Sequence, residues 1–439
     1  MKIKLATMAV ALLLSGGLCA APAAIVFKGG KTAEAYSIDS QTISGVNWQK
    51  DRGKAEARAK LWEVDGINYR GQGMDEFNGM PRKLSGGQGA KLIADAQRII
   101  GGAAAKDFSK EDWDFNVVLT CKYYLAQGHR LNRDHGAAIK AFEEFFADCE
   151  KAPVTTGILP INYKSSITGK PVTNAGGMNR YYLDALEAYV LCLLQEGKAD
   201  AAREKGIKSL QDLCDELSGK SGDNIYHDWT IRALRNAARF AEGKEDWKTA
   251  RASYEALIPV ALKRGDNKPN RAAKEAQLKV GFMQIKEGDA RGANARFYEA
   301  TRKWESAHNT RSAAVPRGDW INADEAYMAA GSYVGQGLVK SADAKNANDW
   351  AEALKNFSMA LSIFQSDDEI RSMALLGAAT ACAKMADLNK ATETVASNHA
   401  KLAEKYLAEL LNLLPKSRAA EDDSVTQIQQ VITKYKKGD

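Results

Sequence analysis

The sequence predicts a mostly α-helical protein: an α-solenoid of stacked helix-turn-helix units, preceded by a small β-rich module. Three observations predict it. Only 9 prolines occur in 439 residues, and a helix-interior proline costs about 3 kcal/mol. A small residue followed four positions later by an aromatic one recurs over roughly residues 110–400, each time shortly after an aspartate or glycine. Residues before about 70, by contrast, alternate in short runs that suit strands. A chain this long exceeds one compact core, but an array in which each unit packs only on its neighbours escapes that limit.

Taken in order, the first segment is 1–23. Met1-Lys2-Ile3-Lys4 is a basic start, Leu5 to Leu14 an apolar run, and Ala21-Pro22-Ala23 a small-residue cleavage pattern. That three-part layout is a secretory signal, and its apolar run is short for a membrane span. A lipid attachment at Cys19 is disfavoured by Leu18, where a small side chain belongs. No later stretch reaches the ~18 apolar residues a spanning helix needs. The expectation is an exported mature chain, periplasmic or extracellular, with no integral span. Removing the segment takes away Lys2 and Lys4, so the formal charge falls from +6 to +4. Spread over this length, that gives no basic stripe for nucleic acid.

Residues 24–70 read as the β-rich module. Ile25-Val26-Phe27, Ala35 to Ile38, Thr42 to Trp48 and part of 60–69 make three to five strands around the turn Gly29-Gly30. The glycine-rich stretch 71–90 reads as a linker. Residues 91–399 carry the helical repeats. In 400–439, an amphipathic helix from Ala400 to Leu414 and a shorter one from Gln427 to Tyr435 form a polar cap for the array.

The repeats show themselves by spacing. One unit has Gly281, Gly288-Asp289, Ala293, Phe297 and Ala300. Another has Ala238, Asp246-Trp247, Ala250, Tyr254 and Leu257. A third has Ala126, Asp134-His135, Ala138, Phe142 and Phe145, and a fourth Asp349-Trp350, Ala353, Phe357 and Ala360. Weaker copies centre on Gly197 with Ala202 and on Asp387 with Ala391. Small residues let two antiparallel helices approach closely. The aromatic four residues on shares the small residue's face and fills the space between units. The aspartate or glycine suits the turn.

Over roughly residues 110–400 this pattern resembles the tetratricopeptide repeat family, whose unit is ~34 residues of helix-turn-helix. The early tryptophan and closing proline of that family are absent or out of register in most copies, and insertions fall at Lys151 to Asn179 and Glu305 to Trp320. In that family the first helix of each pair lines a binding groove. The resemblance therefore implies groove positions for Arg232, Arg235 and Arg239, which lie within about 60° of one another at helical spacing. Tyr123, Gln127 and Arg130 take comparable places in the earlier copy built on Ala126. Arginine forks there would grip carboxylates or carbonyls of an extended partner; the plainer alternative is a solvated basic face.

Motifs for catalysis are sparse. Leu84-Ser85-Gly86-Gly87-Gln88 spells the signature loop of ATP-binding-cassette proteins, but no phosphate-cradling loop accompanies it: near Gly219-Lys220-Ser221 the position of the first glycine holds Cys214. It reads as a turn. His129, His135, His227, His308 and His399 are scattered without metal-ligand spacing. The cysteines beyond Cys19 are Cys121, Cys149, Cys192, Cys214 and Cys382, with no C-x-x-C pair, which suits buried thiols. Cys121 near the start of one helix and Cys149 near the end of its partner fall at the same end of an antiparallel pair, where a disulfide can form in an oxidising compartment.

These readings converge on a non-enzymatic exported protein that mediates protein–protein interactions or scaffolding in the cell envelope, with a protein or peptide partner and no cofactor or metal. The alternative is an enzyme acting on wall glycan through a site in the loops between repeats.

Overall fold

The computed structural model describes residues 23–52, 56–71, 74–102, 116–151, 153–154, 159–311 and 323–435. The proposed signal segment therefore lies outside the described residues, apart from Ala23. The chain divides into two compact units, Met1–Ala237 and Ala238–Asp439.

The first unit opens with six strands rather than three to five. β1 (Ala23–Phe27), β2 (Thr32–Ala35) and β6 (Val64–Tyr69) form one antiparallel sheet in the order β2-β1-β6. β3 (Ser37–Thr42), β4 (Gly45–Gln49) and β5 (Glu56–Ala59) form a second, in the order β3-β4-β5. The run from Thr42 to Trp48 does not stay one strand because Ile43 and Ser44 turn the chain. Gly45 follows at φ 142°, and a Cβ there would lie 2.5 Å from the Ala59 carbonyl oxygen.

The module is built into the helices. The Ile43 amide donates to the Met178 carbonyl at 2.9 Å, the Tyr226 hydroxyl donates to the Ile43 carbonyl at 3.1 Å, and the Ser44 hydroxyl donates to the Gly176 carbonyl at 2.7 Å. Gly176 is closely packed there: an added Cβ would stand 2.4 Å from the Leu159 carbonyl oxygen. An open strand edge invites pairing with other chains. Here the outer edge of β3 is occupied by the bridge from Thr42 to Asn179.

Residues 71–90 correct the expectation of a linker. They hold two short helices, α1 (Met74–Asn78) and α2 (Met80–Ser85), and the start of α3 (Gly89–Ile100). Met74, Phe77 and Met80 are buried and anchor them. The Asn78 amide both accepts from and donates to the Tyr69 backbone, at 2.9 and 2.7 Å, and so closes that part of β6. The glycines here serve contact as well as turning: a Cβ on Gly89 would meet the Gly128 carbonyl oxygen of the next helix at 2.8 Å.

Helical hairpins follow. α4 (Leu119–Leu131) pairs with α5 (His135–Lys151). The insertion after it folds as a hairpin of β7 (Asn162–Lys164) and β8 (Pro171–Thr173). α6 (Tyr182–Gln195) then leads through a one-turn helix and a π-helical stretch, Ala202–Ile207, into α7 (Lys208–Ser221), and α8 (His227–Gly243) carries the chain across the unit boundary. In the second unit come α9 (Trp247–Arg264), α10 (Arg271–Lys286), α11 (Ala290–Arg311), α12 (Ala323–Asp343), α13 (Ala347–Ile363), α14 (Asp368–Leu388), α15 (Glu393–Leu413) and α16 (Ser424–Tyr435).

The small–aromatic pairs sit where their spacing demands. Ala138, Phe142, Ala250, Ala293, Phe297, Ala353 and Phe357 are wholly inaccessible to solvent, and Tyr254 is 1% exposed. Burying each such ring contributes about 1.5–3 kcal/mol before entropy is counted. The aspartates between helices do more than turn the chain. Asp134, Asp246 and Asp289 accept backbone N–H groups of Ala137, Thr249 and Gly292 at 2.9–3.1 Å, which satisfies otherwise unpaired first-turn donors.

One weak copy shifts register. Ala391 is exposed, and Ala396 and Ala400 are the buried small residues of α15, because that helix begins at Glu393. At the end of the array, Val425, Ile428 and Ile432 of α16 pack into a cluster with Leu407 and Leu410. The last hairpin's apolar face is thus covered.

Candidate interaction surface

Within the first unit, α4, α6 and the part of α8 up to Ala237 carry a linked set of polar and aromatic side chains. Tyr123 on α4 stacks on Tyr181, the residue just before α6, with ring centroids 4.6 Å apart and planes 13° from parallel. Asp184 and Glu187 lie one turn apart on α6, and so share a face. Trp229 and Arg232 do the same on α8. The two pairs meet in register: the Trp229 indole N–H donates to Asp184 Oδ1 at 2.7 Å, and Arg232 Nε donates to Glu187 Oε2 at 2.8 Å. Arg232 also lies 3.9 Å from Asp184 and 5.2 Å from the centre of the Trp229 ring.

Exposure separates what is structural from what is available. The Asp184 and Arg232 side chains are each 43% exposed, the Glu187 side chain 18%. Burial pushes the Glu187 carboxyl above its ordinary value, although the Arg232 and Arg130 charges pull the other way. The open Asp184–Arg232 pair offers acceptor and donor groups side by side over a nearly buried indole. An extended backbone carries that same alternation of donors and acceptors.

The predicted groove residues distribute unevenly. Tyr123 and Gln127 are 5% and 4% exposed, which corrects their placement in an open groove: their side chains are spent on packing, Tyr123 against Tyr181 and Gln127 against Arg130 Nε at 2.6 Å. Arg232 is half-buried, held by carboxylates of its neighbour helix. Arg235 is also half-buried and Arg239 exposed. The Arg239 charge acts on Tyr254, lowering a hydroxyl pKa that burial raises more strongly. Asp184, Glu187, Trp229 and Tyr181 were missed. A signal existed: both cross-helix hydrogen bonds join residues 45 apart, so acidic residues on one helix prefigure their partners on the next.

Cys121 and Cys149 are free thiols, buried with Cys192, Cys214 and Cys382, which corrects the expected bridge. The Cys149 sulfur is instead engaged by the Asn179 backbone. His129 and His227 approach Asp134 and Asp215 at 3.9 and 3.6 Å. Among the described residues, no group of three or more His, Cys, Asp or Glu is placed to hold a metal ion, and no helix is long and apolar enough to cross a membrane.

With buried Ala–aromatic pairs, aspartate-capped second helices and consecutive hairpins, the architecture is clear. The repeats are tetratricopeptide-like. No protein-family profile matches the chain, and no curated protein is similar to it in sequence. Among solved structures, it is similar to the C-terminal part of a TPR repeat-containing protein from Cytophaga hutchinsonii, at 11% identity and TM-score 0.39, covering 79% of this chain and 98% of that one. It is also similar to BtubC from P. vanneervenii, at 12% identity and TM-score 0.33, over 65% and 90%. A third likeness is to pilF of Pseudomonas aeruginosa, at 10% identity and TM-score 0.30, over 71% and 96%.

Proposed function

We propose that this is an exported, non-catalytic repeat protein that holds a protein or peptide partner in the cell envelope, as a scaffold or a capture surface. The observation that carries the reading is the half-exposed Asp184–Arg232 pair beside Trp229, on α6 and α8. Stacked hairpins make broad binding surfaces without a deep pocket, and a paired donor and acceptor beside an aromatic side chain suits an extended or helical partner. Export rests on the basic, apolar and small-residue order of residues 1–23.

The test is affinity capture of the mature chain from its own envelope, beside a variant with Asp184→Lys and Arg232→Glu. A specific protein retained by the wild type and lost from the variant supports the reading. Equal retention by both, or measurable turnover of wall glycan by the purified chain, overturns it.

A further inference from the structure

The N-terminal end of α10 holds a cation where the helix itself disfavours one. Arg271 is the first residue of that helix, directly after its cap Asn270, and the partial positive charge of a helix N-terminus repels a guanidinium. What keeps the side chain in place lies on other elements of the second unit. Its Cζ sits 3.3 Å from the centre of the Tyr327 ring on α12 and 5.7 Å from that of Phe364, just past α13. The two rings meet nearly edge-on, 6.1 Å apart at 80°. Arg271 Nη2 donates to Asp367 Oδ2 at 3.1 Å, and Nη1 lies 3.8 Å from Asp324 Oδ1. Two rings and two carboxylates thus surround one guanidinium.

The cage walls are fixed by contacts that do not involve their guest. Asp367 caps α14 through Oδ1, which accepts from the Ile370 amide at 3.0 Å, and Oδ2 is left for the cation. Asp324 stands in the first turn of α12, where a carboxylate is favoured. Tyr327 is 5% exposed and belongs to the core of the unit, with Phe364 packed against it. The guest is held less firmly. The Arg271 side chain is 39% exposed and sits on a helix end, where the backbone opens most readily. We propose that Arg271 is a displaceable internal ligand, and that the cage it closes takes an arginine side chain of a partner protein. The planar fork already bound there defines the chemistry, which an ammonium matches poorly. The inference rests on the partner-holding role above and adds a contact for which the chain itself competes.

The probe is a fluorescein-labelled Gly-Gly-Arg-Gly-Gly peptide, titrated by anisotropy against the full chain. Two peptides accompany it, with lysine or citrulline in place of the arginine; citrulline keeps the shape and lacks the charge. R271Q empties the cage of its own cation, and should bind the arginine peptide saturably and the other two at least tenfold more weakly. The wild type should also bind the arginine peptide, at least tenfold more weakly than R271Q, as expected if Arg271 is out of the cage about one tenth of the time or less. Adding D367N to R271Q keeps an oxygen to cap α14 but should weaken binding at least tenfold. Circular dichroism confirms that the variants fold, and R271A serves in place of R271Q if that variant does not.

No gain over the wild type on removing Arg271, equal binding of the citrulline peptide, or no effect of D367N overturns the inference. So does a wild type that takes up none of the arginine peptide, since Arg271 would then be a permanent tie between helices. If the peptide fails while the envelope partner is still captured through Asp184 and Arg232, this inference falls and the proposed function stands. If capture fails while the peptide behaves as expected, the proposed function falls and the cage's affinity for arginine remains.

Discussion

Gly281 on α10 faces Phe297 on α11 so closely that a Cβ on the glycine would lie 2.5 Å from the ring. The same ring presses on Gly335 of α12, where a Cβ would stand 2.3 Å away. One aromatic side chain thus sets the approach of three helices, and the glycines are where it fits.

Gly281→Ala should therefore destabilise the protein by about 1–3 kcal/mol, although alanine is the better helix former by about 1 kcal/mol. Phe297→Leu shortens the side chain, so most of the loss should disappear when the two changes are combined. Urea unfolding of the single and double variants measures the coupling. An additive pair contradicts the packing account.

The Ser44–Gly176 contact makes a different prediction. Because the β-module is hydrogen-bonded to residues 176–178 and to Tyr226, strands and hairpins of the first unit should unfold together. Gly176→Ala should weaken both, with hydrogen-exchange protection falling in parallel at Val46 and Leu186. Loss confined to the strands would show that the module is an independent domain.

Asp246 caps α9, and its bonds from the Thr249 hydroxyl and amide hold its carboxyl below the ordinary 3.8. A depressed carboxylate contributes stability that is present above its unfolded pKa and lost as pH falls through the folded value. Asp246→Ala should cost about 1 kcal/mol at pH 7, and the difference from wild type should shrink below pH 3.8. Asp246→Asn should keep the cap and remove that acid sensitivity. Thermal unfolding across pH 2–7 reads all three.

Burial pushes the Cys192, Cys214 and Cys382 thiols up to about 12, and Cys121 and Cys149 are also raised. The thiolate is the reactive form. Iodoacetamide at pH 8 should leave all five unmodified in the native protein and alkylate them in urea. Mass spectrometry would contradict this by finding rapid native labelling, or a link between Cys121 and Cys149.

The packing pattern was legible in the sequence because a ring four residues after a small side chain shares its helical face, as Ala250 and Tyr254 show. Strand boundaries were less so: a two-residue turn at Ile43-Ser44 is built from ordinary apolar and polar residues and breaks no composition rule. At 71–90, glycine content hid Met74, Phe77 and Met80, whose burial makes the short helices. The interaction surface was half visible. Spacing placed Arg232 and Tyr123 on first helices, but how far each helix is rotated against its neighbour decides which side chains open outward. That rotation follows from contacts such as Tyr123 on Tyr181, which join distant parts of the sequence.

The most direct test of the partner-holding account replaces Asp184 with a photo-reactive amino acid and irradiates cells that express the full chain. The account predicts a discrete covalent adduct with another envelope protein, absent when the same group replaces Lys208 on α7. No adduct at Asp184, or the same adducts from both positions, would contradict it.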